Sequence, residues 1–138
     1  MASNFDGAFA DYVVVPQAEL FPVASDWSDA ELPTIPCAYG TAENMLHRAG
    51  VTAGDRVLVT GASDGVGSAV VQLAKRRGAW VAAVTTADKG KALRDLGADH
   101  VVDRAVGIPA ELAARHGFAE REEATFIRLD SGVYRDGL

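Results

Sequence analysis

The clearest chemical signal in the sequence is a glycine-rich stretch, GASDGVG at residues 61–67. It follows a short apolar run, RVLVT at 56–60, and precedes a segment whose apolar residues recur at helical spacing. A tight turn between a strand and a helix leaves backbone N–H groups facing outward, where they can bind a pyrophosphate. The stretch therefore predicts a dinucleotide-binding turn, and the alternative is a tight turn that binds nothing. The candidate binding residues are Ala62, Ser63, Asp64, Gly65 and Val66.

A second group of candidate residues follows the next apolar run, WVAAVTT at 80–86. NAD sites commonly place an acid at the end of this strand, where it holds the ribose 2′-OH. Here the run ends in Thr85 and Thr86, and Lys89 follows. Hydroxyls plus a cation suit a 2′-phosphate, so the sequence favours NADP over NAD. In the alternative interpretation, Asp88 caps the next helix and Lys89 is solvated.

An alternation of predicted strands and helices between residues 56 and 103 positions these candidates. The two apolar runs are near-continuous, which is typical of strands buried on both faces of a parallel sheet. A helix between them ends at Gly78, a further helix covers 88–96, and a third strand covers 101–103. Two right-handed βαβ units result. We therefore predict an α/β fold with a partial Rossmann-like, doubly wound parallel sheet of three strands.

Further elements flank this core. Apolar residues at helical spacing predict a helix from Pro36 that stops at Gly50, and another helix over 109–116. FADYVVV at 9–15 predicts a strand stopped by Pro16.

The C-terminal end is harder to assign. Residues 124–129 could form a strand and 133–134 a return strand, added to the sheet of the same chain or to a partner. We divide the chain into three parts, residues 1–35, 36–117 and 118–138, the second of which is the nucleotide-binding domain.

Composition narrows the class of protein. The chain has 138 residues, 49% hydrophobic and 23% charged, with a formal net charge of −6, which is ordinary globular composition. No apolar run approaches the ~18 residues of a membrane span, and the N-terminus has no secretory pattern. Residues 1–47 contain seven acids and no Lys or Arg, which disfavours nucleic acid and anionic membranes as partners. A single cysteine, Cys37, suggests a reducing compartment, so we expect a cytoplasmic protein.

Several segments in one order resemble the medium-chain dehydrogenase/reductase family, and most closely its zinc-type alcohol dehydrogenases and quinone oxidoreductases. They are GAFADYVVVP, IPCAYGTAENMLHRAGVTAGDRVLV, the glycine-rich turn and LGADHVVD, which together span roughly residues 7–116. The resemblance implies an NAD(P)-dependent oxidoreductase that transfers hydride to or from a small alcohol, carbonyl or enone. It also implies that residues 1–35 are a remnant of the GroES-like catalytic domain and its linker. Thr41 matches a family residue near the nicotinamide, and Cys37 matches a catalytic metal ligand.

The departures from the family pattern matter as much as the matches. Most of the catalytic domain and the second half of the nucleotide domain have no counterpart here, so the chain looks like a truncated relative. Asp64 stands where the family usually has Gly, either as a plain helix cap or with its carboxylate filling the anion site. We therefore expect NADP or NAD binding that is weak or absent in the isolated chain. Zinc is not expected, since Cys37 lacks partner ligands in the sequence.

Two functions remain open at this point. One is an NADP-dependent oxidoreductase-family protein, and the other is a truncated, non-catalytic relative that acts as a binding or interaction module. A short parallel sheet with such apolar strands needs cover at its edges. We therefore expect a homo-oligomer, most simply a two-fold dimer, with residues 124–134 in or next to the interface.

Overall fold

The computed structural model of the chain describes residues 9–106 and the backbone of two later strands, at 124–128 and 132–135. The described part is an α/β fold built on one sheet. Its elements are α1 (Thr34–Arg48), β1 (Arg56–Val59), α2 (Gly65–Arg76), β2 (Trp80–Thr85), α3 (Gly90–Asp95), β3 (His100–Asp103), β4 (Ala124–Arg128) and β5 (Gly132–Arg135), with 3₁₀ turns at Gln17–Glu19 and Ala87–Lys89.

The sheet has the strand order β3-β2-β1-β4-β5. Strands β3, β2, β1 and β4 are parallel, and β5 returns antiparallel to β4. The predicted α/β class and the three predicted parallel strands are confirmed. Both C-terminal strands, whose place the sequence left open, join the sheet of the same chain and extend it from three strands to five. The chain winds outward from β1 to β3 and then resumes on the other side of β1. Ligands of doubly wound sheets bind at such a reversal point, outside the carboxyl ends of the strands.

Both faces of the central strands are buried, as their near-continuous apolar sequences predict. Val57 and Val59 of β1 pack with Val81 and Ala83 of β2 on the face that α1 and α2 cover. Successive side chains of a strand point to opposite faces. The alternate residues accordingly form a second buried cluster on the other face, which consists of Leu58, Ala82, Val84 and Val102.

Glycines end the helices where the sequence places them. Gly78 and Gly97 adopt φ of 83° and 109°, a backbone region that other residues rarely enter. α1 begins at Thr34, two residues before the predicted start. The predicted helix over 88–96 begins as the 3₁₀ turn and continues as α3.

The predicted strand over 9–15 is wrong, because these residues form neither helix nor strand. A strand needs a hydrogen-bonding neighbour, and none of the described residues pairs with this segment. The helix predicted at 109–116 lies outside the described residues. Among the helices that are described, none is long and apolar enough to cross a membrane.

Candidate functional site

The glycine-rich turn lies at the carboxyl end of β1, next to the carboxyl end of β2. Gly61 starts it with φ of 61°, and the N–H of Asp64 donates to the Gly61 carbonyl oxygen at 3.1 Å. The N–H of Ala62 donates to the carbonyl oxygen of Val84 at 3.3 Å. This last bond ties the turn to the end of the neighbouring strand, so the two candidate groups of residues share one edge of the sheet.

Gly67 allows α2 to lie directly against the turn. A Cβ atom added at Gly67 would overlap the Gly61 carbonyl oxygen and lie 2.8 Å from the Cα of Ala62. At Gly65 an added Cβ meets nothing within 4 Å. The first helical turn is thus closely packed on its inner side and open on its outer side, which leaves room for a ligand beside Gly65.

Asp64 is the N-cap of α2. Its exposed carboxylate accepts a hydrogen bond from the N–H of Gly65 at 2.8 Å. The carboxylate therefore occupies one of the N–H groups that would otherwise face an incoming anion. Any phosphate bound at this helix end must displace the Asp64 side chain or bind beside a negative charge.

Two threonines with different surroundings end β2. Thr85 is 4% exposed, and its Oγ1 atom is buried with no hydrogen-bond partner among the described residues. Thr86 is half-buried, and its hydroxyl donates to the carboxylate of exposed Asp88. That bond, with the nearby charge of Lys89, holds the pKa of Asp88 below its usual range. Asp88 therefore carries a full negative charge beside exposed Lys89 at neutral pH.

Arg104 is a further candidate that the sequence reasoning missed. Its backbone N–H donates to the Thr85 carbonyl oxygen at 3.0 Å, and its side chain is exposed. Asp103 pairs with Thr85 in the parallel register of β2 and β3, which brings Arg104 to the same edge as Lys89. The only sequence signal is its position just after a predicted strand, which carries no information about the neighbouring strand.

Cys37 and Thr41 lie one turn apart on α1, and both are exposed. Within the part of the chain that the structure describes, no three His, Cys, Asp or Glu residues cluster in a way that could hold a metal ion. His100 stacks on Trp80 with ring centroids 6.4 Å apart, at the amino end of the sheet. The described residues thus bring together the turn and the end of β2, and leave Cys37 on a helix surface.

The residues at this edge fit a dinucleotide in most respects. The open space beside Gly65, the unpartnered Thr85 hydroxyl and two exposed cations lie at the ends of neighbouring strands. The carboxylates of Asp64 at the turn and of Asp88 at the end of β2 oppose an anion there.

Comparison with known sequences finds relatives with reductase and synthase names. The chain is 42% identical over 118 residues to erythronolide synthase EryA2 of Saccharopolyspora erythraea, which covers 85% of this chain and 3% of the synthase. It is 37% identical over 101 residues to acryloyl-coenzyme A reductase of Metallosphaera sedula, and this match covers 73% of this chain and 30% of the reductase. It is also 37% identical over 99 residues to 2-methylene-furan-3-one reductase of Solanum lycopersicum, 70% of this chain and 26% of that enzyme. The chain therefore spans less than a third of these curated relatives. No family model matches it.

Solved structures show the same fold. A presumed alcohol dehydrogenase of Sinorhizobium meliloti is 50% identical with a TM-score of 0.71, over 81% of this chain and 32% of that one. The quinone oxidoreductase of Thermus thermophilus, solved alone and with NADPH, is 32% identical with a TM-score of 0.71. The match covers 78% of this chain and 37% of the oxidoreductase. An NAD-dependent alcohol dehydrogenase is 38% identical with a TM-score of 0.72. The match covers 80% of this chain and 33% of the dehydrogenase.

Proposed function

Because this chain belongs to the medium-chain dehydrogenase/reductase family, we propose that it is the nucleotide-binding part of an NADP(H)-dependent oxidoreductase. The observation that carries the proposal is the edge formed by the glycine-rich turn and the end of β2, joined by the Ala62–Val84 hydrogen bond. The quinone oxidoreductase solved with NADPH, which shares this fold, supports it.

In this proposal the pyrophosphate lies at the N-terminus of α2. The N–H groups of Ala62, Asp64 and Gly65 already donate within the chain, so those of Ser63 and Val66, with the positive end of the helix dipole, would attract it. Gly65 leaves the necessary space, and Gly67 keeps the helix close to the strand. Asp64 weakens the attraction by roughly 1 kcal/mol in a well-screened setting and more where water is excluded. We therefore expect weak binding in the isolated chain.

The 2′-phosphate of NADP is assigned to the end of β2. Lys89 and Arg104 supply exposed positive charge on this edge, and the Thr86 hydroxyl could donate to the phosphate only by giving up its bond to Asp88. Asp88 opposes the phosphate, but its carboxylate is already hydrogen-bonded to Thr86.

Asp103, which pairs with Thr85 in the sheet, is a second carboxylate at this edge and accepts a hydrogen bond from the N–H of Ala105. The preference for NADP over NAD therefore rests on two exposed cations that can turn to a phosphate while both carboxylates keep their partners.

The names of the relatives suggest the chemistry of the complete protein. Acryloyl-coenzyme A reductase and 2-methylene-furan-3-one reductase act on double bonds conjugated to a carbonyl. A reduced nicotinamide dinucleotide held at this edge would supply the hydride for such a reduction, and water or a group of the complete protein would supply the proton. The role of the described residues is to bind and orient the dinucleotide. Thr41 is proposed to lie near the nicotinamide, on the exposed surface of α1.

A second candidate function is a non-catalytic binding or interaction module. The observation that favours it is the carboxylate of Asp64 on the first N–H of α2, where a pyrophosphate would bind. In that case the edge would be a stable structural turn without a ligand.

Titration of NADPH and of NADH against the chain, followed by nicotinamide fluorescence, tests the proposal. We expect weak NADPH binding that tightens in Asp64→Gly, whereas Asp95→Asn serves as a charge-matched control on the exposed surface of α3. No binding of either nucleotide by both the wild type and Asp64→Gly would favour the interaction module. Equal affinity for NADH and NADPH would refute the 2′-phosphate assignment.

A further inference from the structure

The carboxylate of Asp64 stands where the proposed dinucleotide would bring its pyrophosphate, so two negative groups would meet at the start of α2. Asp64 Oδ1 accepts the N–H of Gly65 at 2.8 Å, which fixes the carboxylate at this helix end. None of the ion pairs between described residues includes Asp64, so no Lys or Arg in that part of the chain neutralises its charge. A ligand with negative charges of its own can bind tightly beside this carboxylate only if the repulsion is removed.

The repulsion can be removed by moving the side chain or by placing a cation between the two groups. Rotation of Asp64 breaks its bond to Gly65 and leaves α2 without its N-cap, which is unfavourable. A cation leaves that bond in place, because the second carboxylate oxygen, Oδ2, makes no hydrogen bond to a described residue. The surface beside the carboxylate is open, since a Cβ atom added at Gly65 meets nothing within 4 Å. The turn therefore has both a free oxygen and the space for a hydrated cation.

The chemistry of the available oxygens selects the cation. Mg²⁺ prefers oxygen ligands, keeps several of its waters, and is usually bound by one or two carboxylates together with phosphates of the substrate. One carboxylate and a pyrophosphate supply this set of ligands. Such a cation arrives with the nucleotide and needs no preformed cluster of three protein ligands, and the described residues contain no such cluster. Lys89 and Arg104 are assigned to the 2′-phosphate at the end of β2, so the pyrophosphate needs a different counterion.

The hydroxyl of Thr85 independently marks the same place as a site for a polar ligand. Val59 of β1 pairs with Ala83 of β2, and the hydrogen bond from Ala62 to Val84 continues this contact into the turn. The side chain of Thr85 points to the same face as that of Ala83, which is the face that α2 covers. Thr85 is 4% exposed, and its Oγ1 atom has no hydrogen-bond partner among the described residues. Buried hydroxyls are normally hydrogen-bonded, so this one favours a polar group bound beside the turn.

We propose that the turn binds its dinucleotide together with Mg²⁺, and that the cation bridges the carboxylate of Asp64 and the pyrophosphate. The inference rests on the proposed nucleotide binding and adds a cation requirement to it. Asp64 then keeps its hydrogen bond to Gly65 and holds the cofactor through the cation instead of repelling it. The form of the cofactor that this chain takes is the magnesium complex of NADPH.

Calorimetric titration of NADPH in two buffers of equal ionic strength, one with EDTA and one with Mg²⁺, tests the cation requirement. We expect Mg²⁺ to raise the affinity of the wild type about fivefold or more. Asp64→Asn removes the charge but keeps the cap, because Asn caps helices as well as Asp does, and it should show no such rise. Asp95→Asn, the matched control on the surface of α3, should respond to Mg²⁺ as the wild type does. Asp64→Gly should bind more tightly than the wild type in EDTA and lose that advantage in Mg²⁺.

Electron paramagnetic resonance with Mn²⁺ in place of Mg²⁺ detects the cation directly. The signal of free Mn²⁺ should fall further with NADPH and wild-type protein together than with either alone, and this extra fall should be absent in Asp64→Asn. Equal wild-type affinity for NADPH in EDTA and in Mg²⁺, or the same rise in Asp64→Asn, would overturn the bridging cation and leave the proposed nucleotide binding intact. No binding of NADPH by any of these proteins in either buffer would overturn the proposed function and this inference with it.

Discussion

Replacement of Gly67 by alanine should destabilise the fold through the turn that it packs against. The new Cβ would lie 2.8 Å from Ala62 Cα and 2.9 Å from the Gly61 carbonyl carbon, on top of the overlap with the Gly61 oxygen. Ordinary contact begins near 3.4 Å, so backbone must move by more than half an ångström. Overpacking of this kind costs about 3 kcal/mol when backbone rather than a side chain has to yield. The higher helix propensity of alanine offsets about 1 kcal/mol of this cost, so the free energy of unfolding should fall by about 2 kcal/mol.

Thermal unfolding followed by circular dichroism measures this loss. For a chain of this length, about 2 kcal/mol corresponds to a fall in Tm of roughly 6–10 °C. Gly65→Ala is the matched control in the same helix, because its Cβ meets nothing within 4 Å. We expect Gly65→Ala to leave Tm unchanged or to raise it by a few degrees. If the two variants have the same Tm, then the close packing of α2 on the turn is not what requires glycine at position 67.

Four further outcomes are expected. Asp64→Gly should tighten NADPH binding about fivefold or more, as measured by calorimetry, since ~1 kcal/mol of repulsion is removed; an unchanged affinity would contradict the role of the carboxylate. Asp88→Asn should raise the preference for NADPH over NADH; because the lowered pKa of Asp88 keeps it ionised at neutral and mildly acidic pH, any change of that preference at about pH 6 should follow the second ionisation of the 2′-phosphate and should persist in Asp88→Asn. Arg104→Ala should weaken NADPH binding more than NADH binding, and an equal loss for both would remove Arg104 from the 2′-phosphate site. Elemental analysis should find no stoichiometric zinc; one zinc per chain that is lost in Cys37→Ser would overturn this.

The local parts of the fold could be predicted because short stretches of sequence determine them. The apolar runs that become β1 and β2, and the glycines at 78 and 97, need no knowledge of distant residues. The segment at 9–15 shows the limit of this reasoning. Its composition favours a strand, but a strand forms only where a partner supplies hydrogen bonds, and composition does not name the partner.

The same limit applies to the C-terminal strands and to the site. The sequence left open whether residues 124–134 add to their own sheet, because the pairing of β4 with β1 joins residues far apart in the chain. Arg104 was missed for a related reason, since its position beside Thr85 depends on the register between β2 and β3. By contrast, the glycine-rich turn and the possibility that Asp64 caps α2 were visible, because both are properties of consecutive residues.

The sheet order has a consequence for synthesis on the ribosome. β1 lies between β2 and β4, yet about 65 residues separate the end of β1 from the start of β4. At a typical ~5–20 residues per second, translation of that stretch takes roughly 3 to 13 seconds. During this interval β1 can pair with β2, but its other edge, with the sequence RVLV, has no neighbour. Apolar unpaired edges are where nascent chains aggregate. The yield of folded protein should therefore depend on translation speed and on chaperones that cover this edge until β4 emerges.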